Sequence, residues 1–105
     1  MEYIDIEKKN IPYRFDIALK GTVFTFEIHY NADFDFFTVD LERNGEILVQ
    51  GEKMVYGVPL FGDMSDSRLP SVSIVPYDES GMNEAVTWST LNESVFLFLG
   101  SVEDG

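Results

Sequence analysis

Residues 13–30 read YRFDIALKGTVFTFEIHY. Tyr13, Phe15, Ile17 and Leu19 fall on one face of an extended chain, and Arg14, Asp16, Ala18 and Lys20 on the other. This alternation marks a half-buried strand, because successive side chains leave a strand on opposite sides. Lys20-Gly21 interrupts it with a tight turn. From Thr22 the alternation resumes, with Phe24, Phe26, Ile28 and Tyr30 inward and Val23, Thr25, Glu27 and His29 outward. Two such runs around a short glycine turn predict an antiparallel hairpin.

The same pattern extends downstream. Asn31-Ala32-Asp33 supplies turn-forming side chains. A third strand is predicted from Phe36 to Arg43, with Phe37, Val39 and Leu41 inward and Thr38, Asp40 and Glu42 outward. Asn44-Gly45 is a strong hairpin turn, since both residues tolerate positive φ. Glu46–Gln50 returns as a fourth strand. Gly51 either ends it or bulges it, and Lys53–Tyr56 would continue it past a bulge. The first half thus reads as a four-stranded meander. Upstream, residues 1–12 alternate weakly until Pro12, which cannot donate to a ladder. They read as a short edge strand or as an arm that adds to another subunit.

Residues 54–81, MVYGVPLFGDMSDSRLPSVSIVPYDESG, are less regular and hold three of the four prolines. Gly57, Pro59 and Gly62 punctuate the stretch, and Asp63, Ser65, Asp66 and Ser67 give it turn chemistry. Its apolar residues Val55, Val58, Leu60, Phe61 and Leu69 are many for a solvent loop. Ser71–Val75 resumes as a strand, Pro76 closes it, residues 78–81 turn, and Asn83–Thr87 is a candidate further strand. Thr87–Asn92 reads as one helical turn capped by Ser89 or Thr87 and packed through Trp88 and Leu91. Val95–Leu99, VFLFL, is uniformly apolar and reads as a strand buried on both faces, central or at a barrel seam. Residues 101–105 read as a frayed acidic tail. The expected fold is a single all-β domain of about seven strands and one short helical turn. It is either a small antiparallel β-barrel or a two-layer β-sandwich.

Composition narrows the functions. At 105 residues the chain is of one-domain size, and 45% apolar residues suffice for a core. There is no cysteine, which removes disulfides, thiolate metal sites and cysteine nucleophiles, and fits a reducing compartment. No apolar run approaches a membrane span, and the N-terminal residues carry no signal-peptide pattern. Nineteen acids against seven bases give a net charge of −12, and residues 69–105 carry six acids and no base. Such a surface repels phosphate backbones and anionic lipid, so neither nucleic acid nor membrane is an expected partner. The charge serves solubility or matches a basic partner.

Candidate chemical groups are sparse. His29 is the single histidine and neighbours Glu27 on an outward face, a surface pair short of the three or four ligands a zinc site needs. Asp40 and Glu42 share a strand face, and Asp33 and Asp35 lie nearby. Paired carboxylates can serve glycoside hydrolysis or a hard cation, but no calcium-loop spacing follows and a solvated acidic face is the expectation. Asp63, Ser65, Asp66 and Ser67 are assigned to turn formation. No G-x-S-x-G, phosphate loop or dinucleotide fingerprint occurs. No catalytic residue, metal ligand or cofactor is expected, and the chain is expected not to be an enzyme. Arg68, the last cation, is expected to pair with Asp63, Asp66 or an acid on a neighbour.

An ordered series of segments adds a further expectation. IPYRFDIALKGTVFTFEIHYN (11–31), FFTVDL (36–41), NGE (44–46), YGVPLF (56–61), RLP (68–70), IVPYDESG (74–81) and VFLFLG (95–100) together resemble the small baseplate plug proteins of tailed bacteriophages, prophages and phage-tail-like particles. The resemblance implies a non-enzymatic structural protein at the tail axis. It would contact the baseplate hub, tube or other tail proteins and assemble as a homo-oligomer around that axis. Its location would be the virion tail or tail-like particle, and the bacterial host cytoplasm during assembly. Independently of the resemblance, Val58, Leu60, Phe61 and Arg68 of the loop 57–70 are the expected assembly contacts, the other reading being that the apolar three fill the protein's own core. The alternative is a monomeric β-barrel binding module for a small ligand or cation.

Overall fold

The computed structural model describes residues 2–101. Four strands follow one another as in the sequence pattern: β2 (Tyr13–Leu19), β3 (Thr22–Asn31), β4 (Phe36–Arg43) and β5 (Glu46–Lys53). They pair antiparallel in chain order to form one sheet. Register follows the turns: Phe15 lies opposite Phe26, and Phe26 opposite Leu41. The inward residues Phe24, Phe26, Ile28, Phe37, Val39 and Leu41 are all buried. At the two tight turns Lys20 and Gly21, then Asn44 and Gly45, adopt positive φ.

The second sheet has order β1-β7-β6, from β1 (Tyr3–Ile4), β6 (Val72–Tyr77) and β7 (Phe96–Ser101). β7 is therefore the central strand of three. Its inward Leu97, with Ile74 of β6 and Ile4 of β1, faces the buried side chains of the larger sheet in one core. The result is a two-layer sandwich. The barrel expectation fails because the strands of the two sheets do not pair with each other, and β2 and β5 remain edges of the larger sheet.

Several local expectations are revised. β5 continues through Gly51, whose φ is +74, with register shifts against β4. The ladder takes one more bond, from the Met54 N–H to the Phe37 carbonyl, and then leaves the sheet. Asn83–Thr87 is not a strand. The segment after it is a series of turns with two i→i+4 bonds, Leu91 N–H to the Thr87 carbonyl and Ser94 N–H to the Thr90 carbonyl. Its organiser is Thr90, whose hydroxyl accepts from the Thr87 N–H at 2.8 Å, rather than Ser89 or Thr87. The one helical element among the described residues is a 3-10 turn over Lys8–Asn10. Ser101 is the last residue of β7, opposite Val72, and the rest of the expected tail lies outside the described residues.

Contacts between chain ends join these pieces. The Asn92 side chain accepts from the Ile6 N–H at 3.2 Å and donates to Asp5 at 2.7 Å. The Lys8 ammonium donates to the Trp88 carbonyl at 2.6 Å. Asp35 accepts from the Tyr30 hydroxyl at 2.7 Å and from the Trp88 N–H at 2.9 Å. Those two bonds, the Tyr30 one foremost, hold the Asp35 carboxyl below its usual pKa.

Candidate functional site

The long connection between β5 and β6 is an ordered part of the sandwich. The Gly57 N–H donates to the Pro76 carbonyl and the Leu60 N–H to the Ile74 carbonyl, both at 2.8 Å. The loop thereby covers the edge of β6 that β7 leaves unpaired. Leu60 and Phe61 turn inward and are buried. The Phe61 ring meets Phe26 edge-on at 6.3 Å, and its N–H donates to Glu52 at 3.0 Å. Phe61 itself has φ +63, an unusual conformation for a bulky residue that these contacts support.

The outward side of the loop is different. Val58 and Met64 are exposed. Arg68 pairs with Asp66, one of its expected partners, at 2.7 Å and also with Glu46 at 3.0 Å. The guanidinium donates to both Asp66 oxygens and holds that carboxyl down at about 2. Its own pKa rises in return. The Arg68 carbonyl accepts from Arg43 at 3.2 Å, which ties the loop to the end of β4.

A second surface lies on the outer face of the smaller sheet. Tyr3 packs on Phe96 at 4.6 Å and on Phe98 at 6.1 Å, and Tyr56 stacks on Tyr77 at 5.5 Å. Tyr3 and Tyr77 are each nearly half exposed. The VFLFL run is thus covered by the core on one side and by a thin aromatic layer on the other. A separate open groove of about 540 Å³ is lined by Ile11, Pro12, His29, Tyr30 and Trp88.

Over residues 1–102 the chain matches the family described as Cyanophage baseplate Pam3 plug gp18. It belongs to this baseplate plug family. None of the curated proteins compared with it matches. A baseplate plug is a structural protein of the phage tail, and membership establishes that non-enzymatic role.

The acidic groups on which hydrolysis would depend have structural partners. Glu42 pairs with Arg14 at 2.8 Å, and one Asp40 oxygen accepts from the Gly51 N–H at 2.7 Å. Asp33 and Asp35 lie in the turn between β3 and β4, where Asp35 serves Tyr30 and Trp88. The sequence reading assigned Asp78 only to a turn. It is in fact buried, and accepts from the N–H and hydroxyl of Ser80 and from the N–H and side-chain amide of Asn83. Those donors, the Ser80 side chain foremost, hold its carboxyl down at about 2 against the opposing effect of burial. The D-x-S-x-x-N spacing carried the signal, because Asp accepts readily from backbone two residues on.

Proposed function

We propose that this plug sits at the axis of the baseplate of a phage tail or phage-tail-like particle, as several copies around that axis in contact with the hub or tube. The match to the baseplate plug family across residues 1–102 carries the reading. Cyclic assembly would make each contact between copies heterologous and ring-closing. The outward rim of the β5–β6 loop, with Val58 and Arg68, is the contact surface we assign, with Leu60 and Phe61 shaping it from beneath. A net charge of −12 favours a basic face on the hub or tube. The protein would assemble in the bacterial host cytoplasm and end in the particle.

Imaging of the assembled particle at high resolution tests location, copy number and partner together. The expected result is density for this chain on the axis, touching hub or tube. A labelled chain that never accompanies purified tails would overturn the proposal. In the same assay Val58→Asp combined with Arg68→Glu is expected to abolish incorporation while circular dichroism shows a folded monomer.

A further inference from the structure

We propose that Glu27, His29 and Asp40 form a binding site for one divalent transition-metal cation of the zinc class on the outer face of the larger sheet. Glu27 and His29 are two apart on β3, so they share a face, and Asp40 lies directly opposite Glu27 in the β3–β4 register. The metal-ligating atoms of all three side chains lie within 4.8 Å of one another. His29 Nε2 is 2.6 Å from one Glu27 oxygen and 3.6 Å from one Asp40 oxygen.

The arrangement of the carboxylates favours a cation at their centre. Glu27 faces His29 with Oε2 while its Oε1 is held by Arg14 at 3.3 Å. Asp40 faces His29 with Oδ2 while its Oδ1 is held by the Gly51 N–H at 2.7 Å. That N–H belongs to the irregular part of β5, where Gly51 has φ +74. Each carboxylate is therefore oriented by a bond from outside the triad and turns its other oxygen inward. Outer partners of this kind orient ligands in metal sites. Strands supply a rigid base for them.

Electrostatics point the same way. Like charges directly opposite in a ladder destabilise it, and Glu27 and Asp40 are such a pair. Arg14 serves Glu27 and Glu42, whereas among the described residues no lysine or arginine pairs with Asp40. Nε2 can carry one proton and its hydrogen-bond contact is with Glu27 at 2.6 Å, whereas a cation serves the imidazole and both carboxylates. One imidazole with two carboxylates suits zinc and its neighbours, which accept nitrogen and oxygen at about 2.0–2.2 Å and complete four-coordination with water. Calcium, which takes 6–8 oxygens, is a poor match. All three side chains are partly exposed, leaving room for that water.

The test uses the tag-free full-length protein and zinc chloride. With one histidine in the chain, the imidazole signals in the NMR spectrum belong to His29 without ambiguity. One equivalent of zinc is expected to shift or broaden them. It is also expected to raise the melting temperature with a dependence on zinc concentration that fits a single site. Magnesium at the same concentration should do neither. His29→Gln and Asp40→Asn should each abolish the zinc-dependent rise, with His29→Gln the cleaner variant because His29 holds no backbone group. Unmoved imidazole signals overturn the proposal. So does an equal rise with magnesium, or a rise that survives His29→Gln, since either would report general screening of an acidic surface.

Discussion

The two sheets of this plug are built by opposite routes. In the larger one every strand pairs with its neighbour in sequence, through turns as short as Lys20-Gly21 and Asn44-Gly45. In the smaller one Tyr3 pairs with Phe98, and β6 reaches β7 only after the turns of residues 78–95. Local hairpins cost little loop entropy, whereas distant pairings must be held by contacts made elsewhere. The smaller sheet depends on such contacts: the β5–β6 loop along the edge of β6, Asn92 on the N-terminal segment and Asp78 in its turn. One sheet is thus set by turn chemistry and the other by tertiary docking.

The largest effect should come from the loop that joins the two. Leu60→Asp places a carboxylate in the shared core, where an unpaired charge costs several kcal/mol, comparable to the whole net stability of a small domain. Loss of the folded state by circular dichroism is expected. A folded Leu60→Asp monomer that only fails to assemble would show that the smaller sheet does not need the loop. Next in size are Phe26→Ala in the larger sheet, at about 3–5 kcal/mol, and Leu97→Ala in the smaller, at about 2–5 kcal/mol. Both should shift one common urea midpoint, because the side chains belong to one core. Two separate transitions would break the comparison into independently melting sheets.

Gly45→Ala sharpens the role of turn chemistry. With φ +79 the new side chain meets no clash but enters the left-handed region, at about 1–2 kcal/mol. Native-state hydrogen exchange should show the β4–β5 ladder loosening first.

A pH titration addresses the docked sheet. The folded Asp78 carboxyl lies at about 2, below its usual 3.8. Its contribution is therefore present above that usual value and lost as pH falls through about 2. Asp78→Asn should flatten the acid-side loss of stability over that interval, read from urea midpoints at stepped pH. The smallest effect is expected at Arg68→Ala. Exposed ion pairs add little to stability, so the urea midpoint should hardly move even if assembly suffers.

Much of the larger sheet was legible because period-2 alternation reports, residue by residue, which side of a strand is buried. Phe24, Phe26, Ile28, Phe37, Val39 and Leu41 were readable in this way, as were the turns at Gly21 and Gly45. The third member of the Glu27–His29–Asp40 triad was not, because its proximity depends on β3–β4 register. The turn between β3 and β4 holds more residues than a two-residue hairpin, and their spacing alone does not set that register. Thr87–Asn92 misled as a helix because its apolar spacing is met by turns that Thr90 closes locally on Thr87 and Ala85 and that Asn92 ties to the distant Asp5 and Ile6.

Alternation and turn residues are enough to read this chain as all-β, its first half as a meander, and VFLFL as a strand in need of cover. Packing between distant segments selects a sandwich rather than a barrel, buries Leu60 and Phe61 in the chain's own core, and leaves Val58 and Arg68 outside. The reason is physical: alternation and turn residues act over a few bonds, whereas the partner of an apolar face is chosen by whatever distant surface fits against it.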